Sequence, residues 1–204
     1  MTRPLGPAGA VRWAPALLEE LLPFLRHCGA MVLGPGIGRE PETAAFVQAL
    51  LACPSRPSAV VDADALHALA MHPGALPSLR ACDVLTPHPG EAATLLHTTP
   101  ALVQADRFGA LAGLRRLAPS VWILKGAGTL VGTAGQPVTI APYAEPNLAV
   151  GGSGDVLAGC LGTLMAQTAA HPSEGCEGSS FLAACPRWPP SPARTATDRK
   201  STRL

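Results

Sequence analysis

The 204-residue sequence lacks the features that mark several protein classes. Its formal net charge is +1 and 14% of its residues are charged, so electrostatics give no reason to expect a nucleic acid or an acidic membrane surface as a partner. No apolar run approaches the length that crosses a bilayer. A proline- and glycine-containing stretch also stands where a signal peptide would have its apolar core. We therefore expect a cytoplasmic protein that binds neither membranes nor nucleic acid.

Several local signatures are missing as well. The six cysteines stand singly, without a Cys-x-x-Cys pair or a metal-ligand spacing with histidine, which is typical of reduced thiols. The chain has no Gly-x-x-x-x-Gly-Lys-[Ser/Thr] segment, and its glycines before helices do not follow the Gly-x-Gly-x-x-Gly spacing. These absences exclude a cysteine metal centre, a P-loop and the common dinucleotide fingerprint.

What the sequence does contain indicates a globular α/β domain. Hydrophobic residues make up 48% of the chain, and apolar stretches alternate with helical patterns, as in a mostly parallel sheet flanked by helices. The predicted strands are 30–34, 58–62, 83–86, 121–125, 129–133 and 137–140. The predicted helices are 14–27 (disturbed at Pro23), 43–52, one from Asp64, one from Pro89, one around 101–117, and 153–167.

The segment 171–204 differs from the rest of the chain. It loses apolar periodicity and is rich in proline, with arginine and threonine between the prolines, so we predict that it is disordered. Its last seven residues, Asp-Arg-Lys-Ser-Thr-Arg-Leu, look like a translated sequencing adapter. We interpret 1–170 as one domain and 171–204 as a non-native tail, with a genuine flexible extension as the alternative.

The glycine-rich segment 147–159, Asn-Leu-Ala-Val-Gly-Gly-Ser-Gly-Asp-Val-Leu-Ala-Gly, is the most informative part of the chain. Its glycines allow a sharp turn and a close approach to a ligand, and the helix that follows offers free N–H groups to an anion such as phosphate. Asp155 stands in the first helical turn, where it can accept a proton from a substrate hydroxyl. The pattern suits phosphoryl transfer to an alcohol. An ordinary turn capped by Ser153 and Asp155 is the alternative.

Other polar or glycine-rich segments follow predicted strands, beyond whose carboxyl ends parallel sheets bind ligands. The segment 34–38, Gly-Pro-Gly-Ile-Gly, can approach a ligand or form a plain tight turn. Asp62 or Asp64 can face a magnesium–phosphate unit, although for Asp64 we slightly favour a helix N-cap. His88, between two prolines, can donate a hydrogen bond to substrate or phosphate, or be a surface loop histidine. Glu91 can cap its helix, which we favour, or help hold magnesium.

Lys125 begins the segment Lys-Gly-Ala-Gly-Thr, which joins two predicted strands. Its ammonium group can lie against phosphates while the backbone of the following residues lines a nucleotide. A glycine hairpin with a solvated lysine is the alternative, and the residues alone leave both open.

Together and in this order, five segments resemble the ADP/ATP-dependent NAD(P)H-hydrate dehydratase family over residues 30–167. They are Gly-Pro-Gly-Ile-Gly, Val-Val-Asp-Ala-Asp-Ala-Leu, Leu-Thr-Pro-His-Pro-Gly-Glu, Leu-Lys-Gly-Ala-Gly-Thr and Gly-Gly-Ser-Gly-Asp-Val-Leu-Ala-Gly. The resemblance implies a ribokinase-like three-layer α/β/α fold with a mostly parallel central sheet. It also implies a lyase that repairs nicotinamide nucleotides: ADP or ATP phosphorylates the hydroxyl of the hydrated, redox-inactive S form of NADH or NADPH, and phosphate is then eliminated.

The resemblance further implies the residues of the site. Asp155 would be the catalytic base, and Gly36, His88 and Asp155 would contact the hydrated dinucleotide. The residues bordering the adenine nucleotide would be Lys125, Gly126, Ala127, Gly128, Thr129 and Gly154. ADP or ATP is the implied co-substrate and Mg²⁺ the expected accompanying ion, with no protein ligand assigned to it.

The family pattern starts with a further βα region and continues helically past residue 167, so we expect this chain to be incomplete at both ends. An upstream epimerase domain and a homo-oligomer are compatible with the resemblance. The alternatives are a ribokinase-like kinase of the hydroxymethylpyrimidine or thiazole type and an inactive nucleotide-binding fragment. The Thr-Pro-His-Pro-Gly-Glu and Lys-Gly-Ala-Gly-Thr segments favour the dehydratase, and the retained Asp155 argues against decay of the site.

Overall fold

The computed structural model describes residues 4–6, 12–142 and 149–169, and the predicted tail 171–204 lies outside them. Helices and strands alternate along the chain as the sequence predicts. The strands are β1 Ala30–Leu33, β2 Ser58–Val61, β3 Val84–Leu85, β4 Val121–Leu124, β5 Leu130–Gly132 and β6 Thr139–Ile140. The helices are α1 Leu18–Leu25, α2 Pro41–Ala52, α3 Ala63–Met71, α4 Pro89–Leu95, α5 Pro100–Ala105, α6 Arg107–Leu117 and α7 Ser153–Ala169, with 3₁₀ turns at Pro15–Leu17 and Pro73–Ser78.

The strands form one open, mixed sheet in the order β1-β2-β3-β4-β5-β6. The first four are parallel, whereas β5 and β6 pair antiparallel as a short meander. Leu33 pairs with Val61, Val61 with Leu85, and Leu85 with Trp122, so the four parallel strands end nearly level. The loops that follow them therefore meet at one edge of the sheet.

Helices cover both faces of the sheet, which makes three layers. Successive strand residues point to opposite faces, and β2 and β4 are apolar on both faces, as expected of strands buried between helices. The larger core joins one face to α2, α3, α4 and α6, and includes Leu33, Val61, Leu85, Trp122, Leu50, Leu66, Leu111 and Leu114. The smaller core joins the other face to α7, and includes Val60, Val84, Val121, Ile123, Ala158, Leu161 and Met165. This arrangement fits the predicted fold class.

A buried ion pair secures the opposite, amino end of β2 and β3. The Arg56 guanidinium makes two hydrogen bonds to the Asp83 carboxylate, at 2.8 and 2.6 Å, and neither side chain is exposed to solvent. The amides of Ala59 and Arg80 donate to the same carboxylate. Because the charges are paired and hydrogen-bonded, the pair can be buried without leaving an uncompensated charge.

The prediction of a single helix around 101–117 is wrong, because this stretch forms the two helices α5 and α6. Asp106 ends α5 and caps α6, where its Oδ1 accepts a hydrogen bond from the Gly109 amide at 2.8 Å. Within the described residues, no helix is both long enough and apolar enough to cross a membrane.

Candidate active site

The loops after β2 and β4 bring Asp62 and Lys125 together at the carboxyl edge of the sheet. Lys125 Nζ donates a hydrogen bond to Asp62 Oδ1 at 2.8 Å and lies 3.8 Å from Glu91 Oε2. The Lys125 side chain is 18% exposed and that of Asp62 is 2% exposed. The Lys125 ammonium group is therefore fixed beside two carboxylates, and it is not the solvated lysine of a glycine hairpin that the sequence left as an alternative.

The N-terminus of α7 faces this ion pair. A Cβ added at Gly154 would lie 3.6 Å from Lys125 Nζ and 3.7 Å from Asp62 Oδ2, so no side chain of α7 fills the space between them. Gly152, just before the helix, has φ +85°, a conformation that a residue with a side chain rarely adopts. The free amides of a helix N-terminus and an ammonium group both attract anions, so the space suits a phosphate group.

Asp155 follows Gly154 in the first turn of α7. Its side chain is exposed, and no described residue forms a hydrogen bond or ion pair with it. The carboxylate is therefore available to a ligand bound at the edge of the sheet.

His88 and Glu91 form a capping box at the start of α4. His88 Nδ1 accepts hydrogen bonds from the amides of Gly90 (2.9 Å) and Glu91 (3.3 Å), while Glu91 Oε2 accepts from the His88 amide (2.8 Å). The favoured interpretation of Glu91 as a cap is confirmed. Because Nδ1 is an acceptor, the proton of the neutral ring lies on Nε2. His88 Nε2 lies 3.4 Å from Glu91 Oε1, and the His88 side chain is 55% exposed, so the ring is accessible to a ligand beside Glu91.

Glu91 titrates in an unusual environment. Burial raises the pKa of its carboxyl group, and the hydrogen bond from the His88 amide and the positive charge of Lys125 partly oppose that rise. Its protonation is therefore set by burial against the nearby positive charge of Lys125.

The interpretation of Asp64 as an N-cap is wrong, because Asp62 occupies the N-cap of α3. Asp64 instead accepts hydrogen bonds from the Gly38 amide (3.1 Å) and from Arg39 Nε (2.7 Å), which ties the loop after β1 to α3. A Cβ at Gly34 would overlap the Asp62 carbonyl group, so this loop packs closely against the start of α3. The loop is therefore held more firmly than a plain tight turn.

A cavity of about 140 Å³ opens beside His88, between the N-termini of α3 and α4. Its lining includes Arg39, His67, His88 and Glu91. Gly36 is exposed and is not part of this lining, and a Cβ there would meet nothing within 4 Å. Glu91 contacts both His88 and Lys125, so His88 lies near the Lys125–Asp62 ion pair. Gly36 lies on the loop after β1, outside the cavity lining.

The turn after Lys125 contains two glycines in backbone conformations that other residues rarely adopt. Gly126 and Gly128 have φ values of +133° and +62°, and Thr129 Oγ1 donates to the Gly126 carbonyl group at 2.9 Å. Arg107, at the start of α6, contacts the inner side of this turn and was missed by sequence reasoning. The described residues contain no group of three or more His, Cys, Asp or Glu side chains placed to hold a metal ion.

A sequence profile of the NAD(P)H-hydrate dehydratase family matches residues 8–198. The chain is 42% identical to the bifunctional NAD(P)H-hydrate repair enzyme Nnr of Moorella thermoacetica, over 82% of this chain and 31% of that protein. It is 36% identical to the ADP-dependent (S)-NAD(P)H-hydrate dehydratase of Neisseria meningitidis, over 74% of this chain and 51% of that protein. The chain thus spans about a third to a half of these relatives.

Solved structures show the same fold. A ribokinase-like protein of Enterococcus faecalis superposes with a TM-score of 0.61 at 23% identity, covering 75% of this chain and 52% of that one. The ADP/ATP-dependent NAD(P)H-hydrate dehydratase of Bacillus subtilis, crystallised with ATP and Mg²⁺ and soaked with CoA, superposes with a TM-score of 0.56 at 21% identity, covering 75% and 61%. The chain therefore has a ribokinase-like α/β fold and belongs to the NAD(P)H-hydrate dehydratase family.

Proposed function

We propose that this chain catalyses the ADP- or ATP-dependent dehydration of the S form of hydrated NADH or NADPH. The observation that carries the proposal is the meeting of Lys125, Asp62 and the Gly154 end of α7, with no side chain of α7 between them. A cation and a helix N-terminus that face one space suit the phosphates of a nucleotide. The family of the chain supplies the reaction class.

The reaction joins a phosphoryl transfer to an elimination. The bond between the terminal phosphorus of the nucleotide and its bridging oxygen breaks, and the substrate hydroxyl oxygen bonds to that phosphorus while its proton passes to Asp155. The carbon–oxygen bond of the phosphorylated ring then breaks, phosphate leaves with the electron pair of that bond, and a proton of the neighbouring ring carbon passes to solvent, which restores the double bond. Positioning and neutralisation of phosphate charge supply most of the catalysis in such transfers.

Each site residue has a role in this proposal. Lys125, the turn to Thr129 and the Gly154 amide border the nucleotide. His88, whose side chain is 55% exposed and lines the cavity, and Gly36, on the loop after β1 that Asp64 holds, contact the hydrated dinucleotide. Asp155 stands next to the phosphate space and receives the hydroxyl proton.

Mg²⁺ would enter with the nucleotide. Mg²⁺ commonly takes one or two carboxylates and fills its other positions with phosphate oxygens and water. Asp62 Oδ2 accepts no hydrogen bond from the described residues, and Glu91 Oε2 lies 3.8 Å from Lys125 Nζ, so this donor set fits an ion held mainly by phosphate. The ion supplies further neutralisation of phosphate charge.

The remaining assignments concern the whole protein. We propose a cytoplasmic location, from composition, and an epimerase partner domain, from relatives named bifunctional repair enzymes. A homo-oligomer also stays a prediction.

The proposed function is tested by following the return of NADH absorbance when the full chain is incubated with hydrated NADH. We expect return with ADP or ATP, none without nucleotide, and one phosphate released per NADH formed. A product that keeps its phosphate would instead indicate a small-molecule kinase. Absence of both turnover and nucleotide binding in the full chain would reject the proposal.

A further inference from the structure

One guanidinium group holds three backbone carbonyl groups at the proposed nucleotide edge. Arg107 Nη2 donates to the carbonyls of Leu124 (3.0 Å), Lys125 (3.3 Å) and Gly128 (3.4 Å). Its Nη1 reaches the Lys125 carbonyl at 3.4 Å and is anchored to Gln104 Oε1 at 2.8 Å. Arg107 therefore spans both ends of the turn that follows β4.

These contacts fix which way the turn faces. The carbonyls bonded to Arg107 point toward α6, whereas the amides of Gly126, Ala127 and Gly128 make no hydrogen bond within the described part of the chain. A Cβ at Gly126 would lie 2.9 Å from Arg107 Nη1, so the close approach of the guanidinium depends on that glycine. Donors left unpaired on the outer side of a turn are ready to bind an anion or a polar ligand.

We propose that Arg107 is a positioning residue that holds the turn 125–129 in the conformation that binds the adenine nucleotide. This inference rests on the proposed function. Arg107 acts through the backbone, because its donors are directed at carbonyl groups on the inner side of the turn. The rigid, planar fork of arginine presents donors from two nitrogens to carbonyls on both ends of the turn, whereas the lysine ammonium is one compact group on a flexible stem.

The test compares nucleotide affinity and kinetics of the full chain with those of three variants. Arg107→Met removes the fork, and Arg107→Lys keeps the charge without the fork. Arg115→Met is the matched control, since Arg115 lies on the same helix and donates to a backbone carbonyl, that of Gln136 at 2.8 Å, outside the turn.

We expect Arg107→Met to raise the Kd and KM for ADP at least about tenfold, because several charge-assisted hydrogen bonds are lost. Arg107→Lys should recover a minor part of that loss, while the KM for hydrated NADH stays within about twofold in both variants. Hydrogen exchange at the amides of 126–128 should be faster in Arg107→Met and unchanged in Arg115→Met. A general loss of structure would not change the KM for one substrate alone.

Three results would overturn the inference. The first is an Arg107→Met variant that binds ADP within about twofold of the parent. The second is full recovery by Arg107→Lys, which would indicate a role for the charge rather than for the fork. The third, a parent chain that binds no adenine nucleotide, would overturn the proposed function as well, so the two failures are distinguishable.

Discussion

At the scale of single residues, one missing side chain keeps the approach to Lys125 open. Gly154 lies in the first turn of α7 and faces the Lys125–Asp62 ion pair. A Cβ at this position would make only ordinary van der Waals contacts with the pair. The branches of a larger side chain would extend into the space proposed for phosphate. The proposed phosphate site therefore requires a small residue at this position, in addition to the role of neighbouring glycines in shaping the turn.

Gly154→Val should weaken ADP binding by about tenfold or more, equivalent to at least about 1.4 kcal/mol. Its branched side chain would displace phosphate from the amides of α7 and from Lys125 Nζ. The measurement is the Kd by calorimetry, with Gly159→Val as the matched control because a Cβ at Gly159, on the same helix, meets nothing within 4 Å. Equal affinity in the two variants would argue against a phosphate site at this helix end.

The residues that sequence analysis identified share one property: the signal is local. Glycines followed by a first-turn acid, and a lysine followed by two glycines, indicate a ligand edge without knowledge of the fold. The role of Arg107 was not predictable in this way, because its acceptors lie up to 21 positions away and a first-turn arginine is ordinarily solvated. Asp64 was misassigned for the same reason, since its partners at Gly38 and Arg39 belong to another loop.

At the scale of elements, the start of α4 carries residues that both cap the helix and lie at the proposed site. Its N-cap is His88, whose Nδ1 accepts hydrogen bonds from the first-turn amides, and its first turn holds Glu91, which is half-buried near Lys125. The capping box fixes the histidine ring, whose Nε2 lies 3.4 Å from Glu91 Oε1. One local motif thus sets the tautomer of a proposed ligand contact.

Glu91 should make stability fall as pH rises above the ordinary carboxyl range. Burial raises the pKa of Glu91 above its usual value of 4.5, so the folded chain holds this proton at pH values where the unfolded chain has lost it. The free energy of unfolding then decreases through the window between the two pKa values.

Glu91→Gln keeps an acceptor for the His88 amide and removes the titration. Urea unfolding at a series of pH values should show a smaller decrease across that window than in the parent. Glu19→Gln, which removes an exposed carboxylate in the first turn of α1, is the control and should leave the pH dependence unchanged. Parallel curves for the parent and Glu91→Gln would contradict the assignment.

The order of elements was largely predictable, because period and turn chemistry are local properties. The six strands and the helix after each glycine loop appear where the apolar pattern places them. The break at Asp106 was not predicted, since the helical pattern of 101–117 runs through it. The pattern does not show that the Asp106 side chain caps a new helix rather than continuing the first one.

At the scale of the whole molecule, the two ends of the sheet have different tasks. The carboxyl edge carries the groups that we propose to bind ligands, whereas the amino end is closed by the Arg56–Asp83 pair. Parallel strands separate these tasks because every βα loop lies at the carboxyl edge. Changes at the amino end should therefore act on stability rather than on ligand binding.

Asp83→Asn should reduce the free energy of unfolding by about 3–5 kcal/mol, because it leaves the Arg56 charge buried without its partner. Urea unfolding of the full chain measures this loss. The comparison is Arg39→Met, which breaks the exposed Arg39–Asp64 pair and should cost no more than about 1 kcal/mol. A similar loss of unfolding free energy in the two variants would show that the buried Arg56–Asp83 pair does not stabilise the fold more than an exposed pair does.

In the proposed reaction, Asp155 receives the proton of the substrate hydroxyl during phosphoryl transfer. Asp155→Asn keeps the size and the possible cap of α7 but removes the negative charge and the basicity. The measurement is the turnover of hydrated NADH by the full chain, with the ADP Kd determined in parallel and Glu19→Gln as the control. The account predicts a fall in turnover of roughly two to four orders of magnitude, with the ADP Kd within about twofold of the parent. Turnover near the parent rate in Asp155→Asn would contradict it.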